Sequence, residues 1–502
     1  MITLSDIFYR YPGTTDGWAL HGINLTIQDG EFVLICGGSG SGKSTLGYLF
    51  NGLIPHFFGG DFQGRADVDG MDTRQMSVAR LLPKVGLVLQ NTDAHLFCST
   101  VENEIAFGLE SLGFPPAEIE GKVRWIVEML GIQELLDRPP QALSGGERRL
   151  VAIASVLCLN PSLLLLDEPF AHLDWRGMRR VRKVLTDLHR SGKTIVVIEQ
   201  RIAGLIRHAS RCIVMDQGKI FFDGTTEQSL DVIQERRLLP HYPERVHKGP
   251  KNGKPVIAIR NLSHERDGRQ VLHDISLEVK QGEAVAIVGR NGSGKTTLIR
   301  HLNGLRRPSK GTVSVMESAV HGKSPLGMAS LVGISFQNPN DQFFKNHVRE
   351  ELSAGLKALG KGGETLGEIC DLFGLRDLLN RSPYRLSEGQ KRRVALASIV
   401  AMDPRILVID EPTVGQDGRF LETIAGLITS LREKGYTVLL VTHDLEFALA
   451  TSDRWVVLHE GKKVGDGKPE TLLGDKELMH LGAVGTEAGW SFDGEEESVA
   501  LP

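Results

Sequence analysis

The sequence predicts an α/β fold written twice in one chain, and three observations carry that prediction. Two glycine loops, Gly37–Gly–Ser–Gly–Ser–Gly–Lys43 and Gly289–Arg–Asn–Gly–Ser–Gly–Lys295, each follow a short apolar run and open a helical segment. Four landmarks recur in the same order with nearly constant spacing. Short unbroken apolar runs recur in both halves, at 32–36, 163–166 and 194–198 and again at 284–288, 406–409 and 437–441. Runs of that length suit parallel strands covered on both faces.

The repeat sets the element order. Lys43 and Lys295 lie 252 residues apart, Gln90-Asn91 and Gln337-Asn338 lie 247 apart, and Ser144 and Ser387 lie 243 apart. Asp167-Glu168-Pro169 and Asp410-Glu411-Pro412 are again 243 apart. Small loop deletions in the second copy account for the drift. After Ser144 the residues Leu150, Ile153, Ala154 and Leu157 fall at i, i+3, i+4 and i+7, and Val394, Ala397, Ser398 and Ala401 repeat that spacing, so both segments read as helices. The expected division is a first repeat over 1–235, a Pro- and Gly-rich linker over 236–255, a second repeat over 256–481 and an acidic, disordered tail over 482–502. A regulatory tail is the alternative.

Composition narrows the class. The 502 residues carry a net charge of −4, without the basic footprint of a dedicated nucleic-acid binder. No apolar run approaches the roughly 18 residues that span a bilayer, and Met1–Tyr11 reads as a strand rather than a signal segment. The five cysteines are odd in number and unpaired in spacing, which suits reduced thiols.

The glycine loops match the pattern that cradles phosphate. Gly37, Gly38, Ser39, Gly40, Ser41 and Gly42, with Gly289, Arg290, Asn291, Gly292, Ser293 and Gly294, would turn main-chain N–H groups toward an anion. Lys43 and Lys295 would neutralise β/γ oxygens, and Thr45 and Thr297 complete the two loops. Ser44 and Thr296 are the expected Mg²⁺ ligands beside Asp167 and Asp410, each of which ends an apolar strand. Glu168 and Glu411 are placed to polarise an attacking water; a helix-capping acidic pair is the bland alternative. Ser144-Gly145-Gly146 and Ser387-Glu388-Gly389 precede helices and form a second anion cradle, although Ser-Gly alone is more often a plain N-cap.

With these residues in place, nearly the whole chain resembles the ATP-binding cassette (ABC) ATPases. The resemblance implies two cassettes, each with a RecA-like parallel core, an N-terminal antiparallel β part and a helical signature subdomain. It implies that they dock head to tail, with each ATP between one phosphate loop and the other cassette's signature, and that Gln90 and Gln337 join the Mg²⁺ shell. The stretches Gln90–Phe97 and Gln337–Phe344, Thr100–Gly108 and Thr413-Val-Gly-Gln-Asp417 are similar to those of energy-coupling-factor importers. That likeness implies partners, namely an integral membrane scaffold and a small substrate-binding membrane subunit, with vitamins or nickel and cobalt ions as cargo and a position on the cytoplasmic side of the cell membrane. A tandem-cassette sugar importer is the runner-up, and a soluble non-transport ABC protein ranks below it.

Two departures from the family pattern stand out. The switch histidine is present as His443, but its counterpart 243 residues earlier is Gln200. The second signature holds Glu388 where the family has glycine, and a carboxylate there repels a γ-phosphate unless it turns to solvent. Head-to-tail docking places both departures in one site, so unequal sites are expected, with Glu411 the more important base; tolerated drift with equal sites is the alternative. For adenine stacking, Tyr11 is the expectation in the first half, with core packing as the alternative, and either His264 or Arg266 in the second.

Overall fold

In the computed structural model of the protein the described residues are all except 15, 16, 91, 93, 94, 172, 201, 203, 241, 243–252, 267, 415, 482 and 485–502. Most of the expected linker and nearly all of the expected tail therefore lie outside the described residues, as do Asn91, Asp93 and Ala94 of the first glutamine loop and Gly415. The chain divides into two compact units. The first comprises Met1–His241 with Val414–Glu422, and the second comprises Tyr242–Thr413 with Thr423–Pro502.

In the first unit the apolar runs become a six-stranded sheet ordered Lys219–Thr225, Arg211–Asp216, Phe32–Gly37, Thr194–Ile198, Leu163–Asp167, Val85–Val88. Its five core strands are parallel and only the edge strand Lys219–Thr225 is antiparallel. Successive side chains on a strand point to opposite faces. Phe32, Leu34 and Cys36 accordingly join the cluster formed with the helices Val101–Ser111, Pro116–Leu130, Gly145–Cys158 and Trp175–Arg190. Val33 and Ile35 join the opposite cluster, which includes Leu46, Leu49 and Phe50 of the helix Lys43–Phe50. A four-stranded antiparallel sheet, Leu20–Ile27, Ile2–Arg10, Asp61–Val68, Met71–Asp72, closes that second face.

The second unit repeats this plan. Its six strands run Val332–Ser335, Ile406–Asp410, Thr437–Thr442, Ala284–Val288, Arg454–His459, Lys462–Gly467, and a second antiparallel sheet pairs Pro255–Arg266 with Arg269–Lys280 and Lys310–Val315. Among the described residues no helix is long and apolar enough to cross a membrane.

Candidate functional site

Each glycine loop leaves the C-terminal end of a central strand, where ligands bind in open α/β sheets. Gly37 and Gly289 make the turn at φ 150° and 145°. A Cβ on either would lie 2.2 Å from the Met215 carbonyl oxygen or 2.1 Å from that of Leu458, so no other residue fits there. Lys43 folds back over its loop, donating to Gly37 O (2.9 Å) and Gly38 O (2.8 Å). Lys295 does the same with Gly289 O (2.7 Å) and Arg290 O (2.9 Å). Burial pushes the Lys43 ammonium below its ordinary value, against the pull of Glu168 and Asp167. In the first unit Asp417 accepts a hydrogen bond from the Ser39 N–H (3.0 Å).

The acidic pair ends the neighbouring strand in both units. Burial raises Asp167 to about 6, and burial together with the adjacent Glu411 raises Asp410 to about 7. Asp410 accepts from Thr296 Oγ1 at 3.3 Å. Both Asp167 oxygens are buried without a well-formed hydrogen bond, although Ser44 lies close enough to lower the carboxyl against its burial. An orphaned buried carboxylate beside Ser44 suits a hard cation, and Mg²⁺ keeps several waters and takes only one or two protein oxygens. Among the described residues there is no group of three or more His, Cys, Asp and Glu side chains that could hold a metal ion.

Glu168 and Glu411 occupy left-handed backbone at φ 48° and 49°, which costs about 1–2 kcal/mol for a residue with a Cβ. Their N–H groups bond across the sheet to Ile198 O and Val441 O, each at 2.8 Å. The two carboxylates keep different company. Glu168 Oε2 accepts from Gln90 Nε2 at 2.6 Å, and Oε1 accepts from Gln200 Nε2. Glu411 Oε2 lies 2.9 Å from His443 Nδ1 and accepts the His443 N–H at 3.3 Å, while Oε1 lies 3.8 Å from Lys295 Nζ. Burial pushes the Glu411 carboxyl up, but His443 and Lys295 hold it well below the usual carboxylate range.

Other expected site residues take definite places. Gln90 turns its amide nitrogen to Glu168, a bond that does not engage its carbonyl oxygen; Gln337 is exposed and makes no such bond. Ser144 and Ser387 are N-caps in capping boxes, accepting from the N–H groups of Glu147 (3.3 Å) and Gln390 (3.4 Å). Glu388 turns outward, its side chain 55% exposed and paired with Lys391 Nζ at 2.8 Å. Tyr11 packs edge-on against Tyr9 and Phe58 and shares a hydrogen bond with Thr45 Oγ1 (3.0 Å). His264 does not fit adenine stacking: it is buried, bonded to Arg307 O (3.1 Å) and wedged against His301. It closes the buried stretch Leu262–His264, where the strand's register shifts break simple alternation, and Arg266 beyond it is exposed.

Two residues that sequence reasoning passed over belong to this geometry. Arg149 donates to Leu89 O and Gln90 O, and Arg392 donates to Glu411 O. The available signal was their equal position after each signature, 243 residues apart.

Comparison with known proteins agrees with the geometry. The ABC transporter family profile matches residues 20–171 and 272–414. A protein of Methanosarcina acetivorans with the provisional name ABC transporter ATP-binding protein is 35% identical over 96% of this chain and 88% of its own length. A like-named protein of Treponema denticola is 35% identical over 95% of this chain and 98% of its own. Among solved structures, an archaeal ribosome recycling factor bound to a ribosomal stalk protein covers 92% of this chain and 90% of its own, with a TM-score of 0.66 and 24% identity. An RNase-L inhibitor reaches 0.66 at 23% identity, covering 95% of this chain and 93% of its own. Identities this low speak to the fold alone. With both phosphate loops, both acidic strand ends and both repeats matched, the chain belongs to the ABC transporter family of ATP-binding proteins.

Proposed function

We propose that the chain is the ATP-hydrolysing subunit of a membrane importer of the energy-coupling-factor kind, acting peripherally on the cytoplasmic face for a vitamin or for nickel or cobalt ions. The observation that carries this is a link from an exposed aromatic surface to a hydrolytic carboxylate. Phe97 and Phe107, 62% and 43% exposed, touch edge-on at 4.8 Å just beyond the first glutamine loop. Gln90 of that loop is bonded to Glu168. Phe344, 66% exposed, holds the position 247 residues on. Exposed aromatics in a polar rim mark interaction sites, and a scaffold helix seated there would sense the state of the carboxylate.

Glu411 and Glu168 polarise the attacking water, and Lys43 and Lys295 stabilise charge on the transferred phosphoryl group. Ser44, Asp167 and Gln90, with Thr296, Asp410 and Gln337, are the groups that would hold Mg²⁺, which supplies charge neutralisation. Binding favours whichever arrangement of the halves contacts ATP better, and hydrolysis removes that advantage. The test is purification of the full chain from native membranes. Co-purifying integral proteins carrying a vitamin or metal support the reading, and a sugar-specific membrane complex would favour the runner-up. Recovery only with ribosomes or DNA overturns it. Phe97→Ser with Phe344→Ser should release the membrane partners while leaving an active ATPase.

A further inference from the structure

Each signature helix carries an arginine at its fifth residue, Arg149 in Gly145–Cys158 and Arg392 in Glu388–Ala401. Arg149 is 1% exposed, and the Nε atoms of both are buried without a partner. A guanidinium withdrawn from water is tolerated only where its remaining donors are used. The two side chains use them differently.

Arg149 Nη1 donates to Leu89 O at 2.6 Å and Nη2 to Gln90 O at 2.8 Å, so the fork grips the glutamine loop. The same Gln90 donates its side-chain amide to Glu168. The path from the first signature helix to its carboxylate therefore runs through an intermediate residue. Arg392 Nη1 bonds directly to the main-chain oxygen of Glu411 at 2.9 Å, on the left-handed turn that carries this carboxylate. The second glutamine loop is tied to its helix by another residue. Gln342 Nε2 donates to Ala395 O (2.7 Å) and Ser398 Oγ (3.0 Å), while its Oε1 accepts from the Phe336 N–H (3.5 Å). The neighbourhoods differ as well. Arg149 lies in the field of buried Glu199, with Asp167 and Glu168, whereas Arg392 lies in that of the half-exposed Glu388, with Glu411 and Asp410.

We propose that Arg149 and Arg392 are positioning residues with unequal wiring: Arg392 fixes the turn bearing Glu411 in one hydrogen bond, whereas the hydrogen bonds of Arg149 lead to Glu168 only through Gln90. A shift of the second signature helix then acts at once on the carboxylate beside His443. A shift of the first is cushioned by the glutamine loop. The inference rests on the reading of the chain as an ATPase.

Steady-state ATPase assays on the full chain test it, with double-mutant cycles. Arg392→Ala should lower kcat by about tenfold or more with KM for ATP changed less than about twofold. It should add nothing once Glu411→Gln is present. Arg392→Lys, which keeps one donor, should recover part of the loss. Arg149→Ala should lower kcat by less than about threefold and be non-additive with Gln90→Ala. A merely structural arginine would lower melting temperature and multiply the loss equally in every background, and that result overturns the proposal. So would equal effects of the two alanine variants. If Arg392→Ala does not fold, Arg392→Lys and Arg392→Gln decide: an intermediate kcat at unchanged KM supports the wiring, and unchanged kcat overturns it. A wild-type chain without turnover would sink the ATPase reading itself, whereas turnover with additive variants sinks only this proposal.

Discussion

Glu168 and Glu411 have the same backbone turn but unlike donors. Two neutral amides donate to Glu168, one to each oxygen, and among the described residues no cation pairs with it at such short range. Glu411 faces an imidazole and a lysine, which favour its charged form. Glu411→Gln should therefore slow ATP turnover at least tenfold more than Glu168→Gln, about 1.4 kcal/mol of barrier; single-turnover rates of the two variants check this, and matched rates refute it. The outward turn of Glu388 onto Lys391 weakens one expected cause of the inequality and leaves the Gln200 difference to supply it. A second residue-scale prediction concerns His301, whose Nε2 lies 3.3 Å from His264 Nδ1 while its Nδ1 is bonded to Thr297 O. Burial pushes His301 below its ordinary value, so the folded chain holds it neutral. The unfolded chain then binds the extra proton, and stability falls as pH drops below about 6.5. His301→Leu, which installs the residue found at Leu49 in the first half, should lose less melting temperature than wild type between about pH 7.5 and 5.5; an equal loss removes His301 as the cause. Lys43, Lys295 and the acidic pairs were legible because their chemistry dictates residue type and spacing. The roles of Arg149 and Arg392 were not, because their partners are main-chain oxygens that any sequence supplies.

Elements were legible where one period dominates. Leu150, Ile153, Ala154 and Leu157 are buried, as their spacing requires, and so are Val394, Ala397 and Ala401. Ser398 breaks the apolar set because it accepts a hydrogen bond from Gln342. The antiparallel sheets were harder to read, since irregular register flips the alternation on which such a reading depends: Ile2–Arg10 shifts register between Leu4 and Ile7. Close contact between strand and helix gives a prediction at this scale. A Cβ on Gly333 would lie 2.3 Å from Ile399 Cγ2 and 2.9 Å from Pro404 Cγ, and one on Gly86 would lie 2.6 Å from Val156 Cγ1 and 2.7 Å from Pro161 Cγ. Both glycines have ordinary φ, so crowding alone is at issue. Gly333→Ala and Gly86→Ala should each destabilise the chain by about 1–3 kcal/mol through overpacking against the signature helices. Urea denaturation measures this, and a loss below about 0.5 kcal/mol would mean that the helices yield freely.

At the scale of the molecule, each unit owns a packed core, and the chain does not divide at a single cut because Val414–Glu422 groups with the first unit. A repeat read from sequence shows two copies but not such an exchange, since contact between distant segments leaves no local pattern. Family resemblance implies that each nucleotide is completed by both halves, and calorimetry can test that. In a Glu168→Gln/Glu411→Gln chain, MgATP at about 100 times its Kd should stabilise by about 2.7 kcal/mol per site. If both halves share each nucleotide, Lys295→Met should reduce the nucleotide-induced rise for both units, because the lost ligand was bonded to both. If each cassette binds its nucleotide alone, Lys295→Met should abolish the rise of the second unit and leave that of the first intact. The second outcome would refute the inverted pairing and remove the basis for assigning Gln200 and Glu388 to one site.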